Sequence, residues 1–392
     1  MPELPLILQL ALRNLWRNPR RTLTALASLM FATGVVTFLG AMNDGWLHGM
    51  RDNFILTFSG HWQVHGPRPM AVDRLDPRLI RAISPRTERD GLGSVGAAAT
   101  GVRIVAIDPL HELAVSRLGS YQIDGHCLGE LGEREVVLGR DVARTLNARM
   151  GSHVVLTAEG RSGELVSELF TVCAQLQTGA PQIDRRFAVI PLATARQWLG
   201  AEAEYQAIRM RPGAAPIEVE THLRAQLPPD STLLGWAEID PMVHQWLRFG
   251  EVYGLLVLGI VIALTVAQVS NTMILALYER VREFGLMEAL GTRRGQLFAL
   301  VSTEAAILVV AGGFGGWLLG ALAVASSGAG IDFSTVSGAF RFFFMDPVIR
   351  PELTGWMAFK VGLALAVSAL LGGLYPAWVA ARLDPVEAMR WH

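Results

Sequence analysis

The sequence predicts an α-helical membrane protein with four transmembrane helices and a large α/β extracytoplasmic domain inserted between helices one and two. Three observations carry that expectation. Four long windows contain no Asp, Glu, Lys or Arg; arginines crowd the window ends that share one side; and the stretch between the first two windows alternates short β-branched runs with helically spaced ones.

Of 392 residues, 51% are hydrophobic and 18% charged, and the mean hydropathy is +0.34. That is too apolar for an ordinary soluble domain. A net charge of -1 argues against bulk electrostatic attraction to nucleic acid. The charge-free windows are 22–43, 252–278, 305–331 and 361–381. Each covers the roughly 20 residues that a helix needs to cross a hydrocarbon core of about 30 Å, and in lipid a lone helix satisfies its own backbone. The first window is too long for the apolar run of a signal peptide and no clear A-x-A site follows it, so an uncleaved anchor is expected.

Arginine placement sets the orientation. Arg13, Arg17, Arg20 and Arg21 precede helix one, Arg280, Arg282, Arg293 and Arg294 lie between helices two and three, and Arg382 and Arg390 follow helix four. Both termini are therefore expected in the cytoplasm, with 279–304 and the tail 382–392. The loop 332–360, with only Arg341, Arg350 and Lys360, falls outside together with the domain 44–251. Residues 1–21 space Leu4, Ile7, Leu8, Ala11, Leu15 and Trp16 helically ahead of the arginines, the pattern of a cytoplasmic interfacial helix.

Within the outer domain, "GVRIVAID", "REVVLG", "SHVVLTA", "ELFTVCAQL", "RRFAVIPL" and "YQAIRMRP" read as strands. "GRDVARTLNARMG", "PLATARQWLG" and "PIEVETHLRAQL" read as helices. Between Gly66 and Gly101, abundant Pro, Arg and Gly predict irregular structure. The segment "AEIDPMVHQWLRFGEVYG" predicts a helix running unbroken into helix two, which would link outer and membrane movements. Cys127 and Cys173 have one possible intramolecular pairing, permitted in an oxidising compartment; the strand pattern around Cys173 favours a buried thiol instead. In "AGGFGGWLLG", Gly312, Gly316 and Gly320 form a smooth stripe for helix packing, against this chain or a partner subunit.

No catalytic constellation is expected. Lys360, the only lysine, lies between Phe359 and Val361, so the sequence lacks the Gly-Lys-Ser/Thr of a phosphate-cradling loop. His61 and His65 sit four apart in a strand-like run, about 13 Å apart on one face, and His111 beside Glu112 lacks a second histidine for zinc. No metal site is expected. The charge-free windows also lack the buried carboxylates of an ion relay, so energy must arrive from elsewhere.

One charged stretch, "YERVREFGLMEALGTRRGQL", is wedged between helices two and three. Phe284, Met287 and Leu290 or Gly291 fall at helical spacing, Glu279, Arg280, Arg282, Glu283 and Glu288 supply the polar remainder, and Gly291 is placed to end the helix. An amphipathic helix tied to two membrane helices is a mechanical handle. "REFGLMEALGTRRGQL" resembles the coupling-helix motif of ABC-transporter permeases of the FtsX, MacB and lipoprotein-releasing (LolC/LolE-like) group. The tail "YPAWVAARLDPVEAMR" and the outer segment "VVLGRDVARTLNARMGSHVVL" resemble other motifs of the same group. Two departures stand out. Glu288 occupies a position where the group usually has Lys or Arg, and "AEGRSGELVSE" has no proline where the carrier-docking subunits have a proline-bearing hairpin.

The resemblance implies a permease subunit of an ATP-driven mechanotransmission transporter in the bacterial inner membrane, without a cofactor of its own. ATP and Mg would be bound by a cytoplasmic ABC ATPase dimer docking at Glu283, Phe284, Gly285, Leu286, Met287, Glu288, Leu290 and Gly291. A second permease, identical or homologous, would complete the complex. The expected cargo is a lipoprotein lifted from the outer leaflet and passed to a periplasmic carrier, its acyl chains meeting Phe38, Leu39, Met42 and Trp46 opposite Tyr253, Leu256 and Ile260. Two other members of the group suggest alternatives: expulsion of a periplasmic compound, or signalling to a cell-wall hydrolase.

Overall fold

In the computed structural model, residues 3–71, 75–125, 127–333 and 348–382 are described. The chain divides into two compact units. One comprises residues 1–47, 248–331 and 349–392, and the other 48–247 and 332–348.

The chain opens with α1 (Glu3–Arg17). After Asn18, α2 (Pro19–Phe54) starts on a proline, whose missing N–H is no loss at the first helical position. The Thr22 hydroxyl donates to the carbonyl of Leu15 at 2.7 Å and fixes the corner between them. The helix continues past the predicted window and closes in a π-turn, Ile55–Ser59.

The α/β unit follows in the order β1 (Trp62–His65), β2 (Ile80–Val95), β3 (Ala98–Ile107), α3 (Pro109–Val115), β4 (Gln122–Asp124), β5 (Glu135–Gly139), α4 (Arg140–Thr145), β6 (His153–Glu159), β7 (Leu165–Leu176), α5 (Pro181–Asp184), β8 (Phe187–Pro191), α6 (Leu192–Leu199), β9 (Tyr205–Met210), α7 (Pro216–Ala225), β10 (Thr232–Gly235) and α8 (Trp236–Ile239). The strands form one mixed sheet in the order β10-β1-β9-β2-β3-β8-β5-β7-β4, with β6 on β2 and β7. The β3–β8 and β5–β7 pairs are parallel. Strand periodicity explains the two-sided core: Val102, Ile104 and Ala106 join one cluster, while Val105 and Ile107 join the other.

Three sequence expectations change here. The stretch expected to be irregular contains β2, the longest strand among the described residues. Its Pro85 pairs with β9 at Gln206, just before the β3 pairing begins at Arg86, a position that tolerates a missing donor. Cys127 and Cys173 are not separate thiols but a disulfide closing 46 residues. Finally, the helix leading to the membrane does not run from Ala237. The Asp240 carboxylate accepts from the amides of Met242 and Val243, ends the short α8 and starts a new helix.

That helix, α9 (Pro241–Tyr278), is followed by α10 (Val281–Ala289), α11 (Arg294–Ser326), two short strands β11 (Ile331–Asp332) and β12 (Val348–Ile349), and α12 (Gly355–Ala380). Among the described residues, Pro19–Ser59, α9, α11 and α12 are long and apolar enough to cross a membrane. The glycine stripe of α11 lies against α2 of the same chain. A Cβ on Gly312 would come within 2.7 Å of Leu29 Cβ, and one on Gly320 within 2.6 Å of Thr37 Cβ. Arg341 and the tail motif beyond Arg382 lie outside the described residues.

Candidate coupling site

Helix α10 sorts its residues by face. Val281, Phe284 and Gly285 are buried, Phe284 in a cluster with Ala11 of α1, Leu277 of α9, Leu297, Leu300 and Val301 of α11, and Ala377 and Ala380 of α12. Arg282, Leu286, Ala289 and Leu290 are exposed, Leu286 by 55% and Leu290 by 79%. Spacings of three, four, seven and eight put these on one side of the helix. Gly291 ends α10 at φ 98°, a left-handed conformation that favours glycine. The Thr292 amide then donates to the carbonyl of Met287 at 2.9 Å. Gln296 accepts from the Arg293 amide at 2.9 Å and starts α11.

The expected docking residues therefore divide. Leu286, Leu290 and Gly291 face outward, and Arg282 and Ala289, which the sequence reading did not select, share their side. Phe284 and Gly285 are supports inside the chain. Glu283 is engaged by Arg17 and by Arg280 Nε at 3.2 Å. Its carboxyl is held below the usual range, first by the Arg17 hydrogen bond. Glu288 accepts from Arg294 at 3.0 Å, so the acid that departs from the group's usual base has a basic partner within the chain. Signed charge alone could not separate inward from outward groups.

The expected lipid-contact residues also divide. Leu39, Tyr253, Leu256 and Ile260 are exposed, whereas Phe38, Met42 and Trp46 are half-buried. Helices α2 and α9 approach where a Cβ on Gly254 would lie 3.1 Å from Asn43 Nδ2. Across from them, Asp44 receives Thr354 Oγ1 at 3.1 Å and Lys360 Nζ at 3.4 Å. The lysine expected as a loop charge is thus bound to α2. Among the described residues, no cluster of three or more His, Cys, Asp or Glu could hold a metal ion.

Comparison with known proteins bears on this architecture. Residues 22–226, half of the chain, match the family model of the MacB-like periplasmic core domain, and residues 255–385 match the FtsX-like permease C-terminal domain. The chain belongs to the MacB/FtsX permease family. Relatives include the macrolide export ATP-binding/permease protein MacB of Sodalis glossinidius, 35% identical over 122 residues, which are 31% of this chain and 16% of that protein. Another is the uncharacterized ABC transporter permease YknZ of Bacillus subtilis, 32% identical over 126 residues, 31% of this chain and 27% of YknZ. The aligned stretches thus span well under a third of these relatives' length. Among solved structures, the extracellular domain of the noncanonic ABC-type transporter YknZ from Gram-positive bacteria is 11% identical with a TM-score of 0.31, covering 44% of this chain and 98% of that one. Within the MacB/FtsX family assignment, α10 lies inside the FtsX-like match and the α/β sheet inside the core-domain match up to Gln226.

Proposed function

We propose that this chain is the permease subunit of an ATP-driven mechanotransmission transporter, with α10 as the handle gripped by a separate cytoplasmic ABC ATPase dimer. The observation that carries the reading is the exposed Arg282, Leu286, Ala289 and Leu290 face on a helix whose opposite side is buried in the chain's own core. A short apolar helix face with one basic group suits insertion into a groove on a motor protein. ATP and Mg belong to that partner; this chain supplies the helix that is moved. A second permease, identical or homologous, pairs with it.

Both termini are assigned to the cytoplasm of a bacterium and the α/β unit to the periplasmic side of the inner membrane. The Cys127–Cys173 disulfide supports this, because such bonds persist in oxidising compartments. The cargo we favour is a lipoprotein lifted from the outer leaflet for a periplasmic carrier, with exposed Leu39, Tyr253, Leu256 and Ile260 offering apolar contact to acyl chains. A second reading, expulsion of a periplasmic compound, draws on the relative named for macrolide export.

Purifying the tagged chain from its native membrane and identifying every stoichiometric companion tests the proposal. An ATPase must be among them. A lipoprotein carrier supports the first cargo and an export adaptor the second. A photo-crosslinker at Leu39 or Met42 that captures no lipoprotein in intact membranes removes the lipoprotein reading.

A further inference from the structure

Glu304 lies one residue before the third charge-free window, inside α11, with its side chain 4% exposed. Asn14 Nδ2 of α1 donates to its Oε1 at 2.5 Å. Arg280, between α9 and α10, reaches both of its oxygens through Nη1 at 3.3 and 3.4 Å. The same Arg280 donates to Glu283 of α10 and lies 5.1 Å from the centre of the Phe284 ring. Farther out, Arg17 pairs with Glu283, and Arg21 meets Glu279 at 2.5 Å. These contacts join α1 and the start of α2 to the α9–α10 junction across more than 250 residues of sequence.

The outer bridges are exposed and add little by themselves in water. The buried pair is different. Stability alone would be served as well by apolar side chains of similar volume, but apolar surfaces slide past one another, whereas hydrogen-bonded charges fix one register. Pulling Arg280 away from Glu304 would leave a buried charge uncompensated, which is costly, and the Asn14 amide ties α1 to the same carboxylate.

We infer that Glu304 is a positioning residue: through Asn14 and Arg280 it fastens α1 and α10 to α11, making α1 part of the lever. Force applied to α10 then reaches the inner end of α2 by way of α1, in addition to the direct routes into α9 and α11. This inference rests on the proposed role of α10 as the handle, but the link itself can be measured without the motor.

For that measurement, spin labels are placed on Gln9→Cys of α1 and Ala289→Cys of α10 in the full chain in lipid nanodiscs. Both positions are exposed, and the two native cysteines are bonded to each other. A single narrow distance distribution is expected. Glu304→Gln and Arg280→Gln should widen it about twofold or more, and Arg280→Lys, which keeps the charge, should restore most of the narrowness. An unchanged width in both glutamine variants overturns the inference.

In case the glutamine variants do not accumulate, a second measurement uses wild-type Glu304. A short bismaleimide bridge between Arg21→Cys and Glu279→Cys, which lie outside the docking residues, should leave ATP turnover of the complete complex within about twofold of the unbridged value, because parts of one rigid body do not need to separate. A tenfold loss overturns it. Leu286→Asp in the same preparation tests the handle separately: retained ATPase binding counts against α10 as the docking helix, while the spin-label distances still decide the α1–α10 link.

Discussion

Acidification from about pH 7.5 to about pH 5 should loosen the α/β unit through His61. Its backbone amide donates to the carbonyl of Ile208 at 2.8 Å, and its carbonyl accepts from the Trp236 amide at 3.1 Å. The backbone here is tied on both sides, and the ring's Nδ1 is buried without a hydrogen-bond partner in the structure. Burial, and then the charge of Arg209, lower its pKa from 6.5 to about 4; Asp52 opposes the shift and Arg51 adds to it. Because the folded value is the lower one, the unfolded chain takes up the proton first. The contribution is intact above pH 6.5, falls as pH drops toward 4, and is fully lost below that. At pH 5 the two values give a loss of about 2 kcal/mol, a ceiling since water partly reaches the ring.

Hydrogen exchange of β1 amides in the nanodisc-embedded chain, corrected for the intrinsic pH dependence, should then report openings up to about thirtyfold more frequent at the lower pH. His61→Asn should flatten that response. If the asparagine variant shows the same acid-induced opening as the wild type, the assignment to His61 is wrong.

Leu286→Asp should change permease stability by less than about 0.5 kcal/mol, because the side chain is exposed, yet abolish copurification of the ATPase. Gly285→Asp should instead reduce the amount of folded permease, since it buries a carboxylate; comparing membrane yield with ATPase recovery separates the two. Replacing both Cys127 and Cys173 with serine should cost about 4 kcal/mol for a loop of 46 residues in the chain-entropy treatment, read as a lower denaturant midpoint. Arg86 and Glu112 are fully buried, paired at 2.7 Å. Glu112→Gln should cost about 3–5 kcal/mol by thermal unfolding, and the double change Arg86→Met with Glu112→Leu should recover most of it.

Periodicity makes much of this architecture legible in the sequence. The alternation in "GVRIVAID" and the helical spacing in "PIEVETHLRAQL" are local properties, and β3 and α7 form where those patterns lie. What stayed hidden was pairing over distance. Pro85 spoils a strand pattern unless its one-sided pairing is known. Cys173 looks equally suited to a thiol or a bridge until Cys127 is placed beside it. Arg86 and Glu112 are 26 residues apart, with no spacing that marks them as partners. The motif of α10 is legible in the sequence, but which of its residues face outward depends on α1, whose arginines read from sequence only as topology signals. Glu304 is not marked by composition, because a charge-free window ends at the first carboxylate even where the helix continues through it.

The first and last strands of the α/β unit are hydrogen-bonded neighbours, Trp62 opposite Gly235 and His65 opposite Thr232. A domain whose two ends emerge side by side can be spliced out and replaced at a single locus, in the manner of an interchangeable tool head. A foreign module could therefore be grafted between Gly60 and Trp236 without redesigning the long apolar helices.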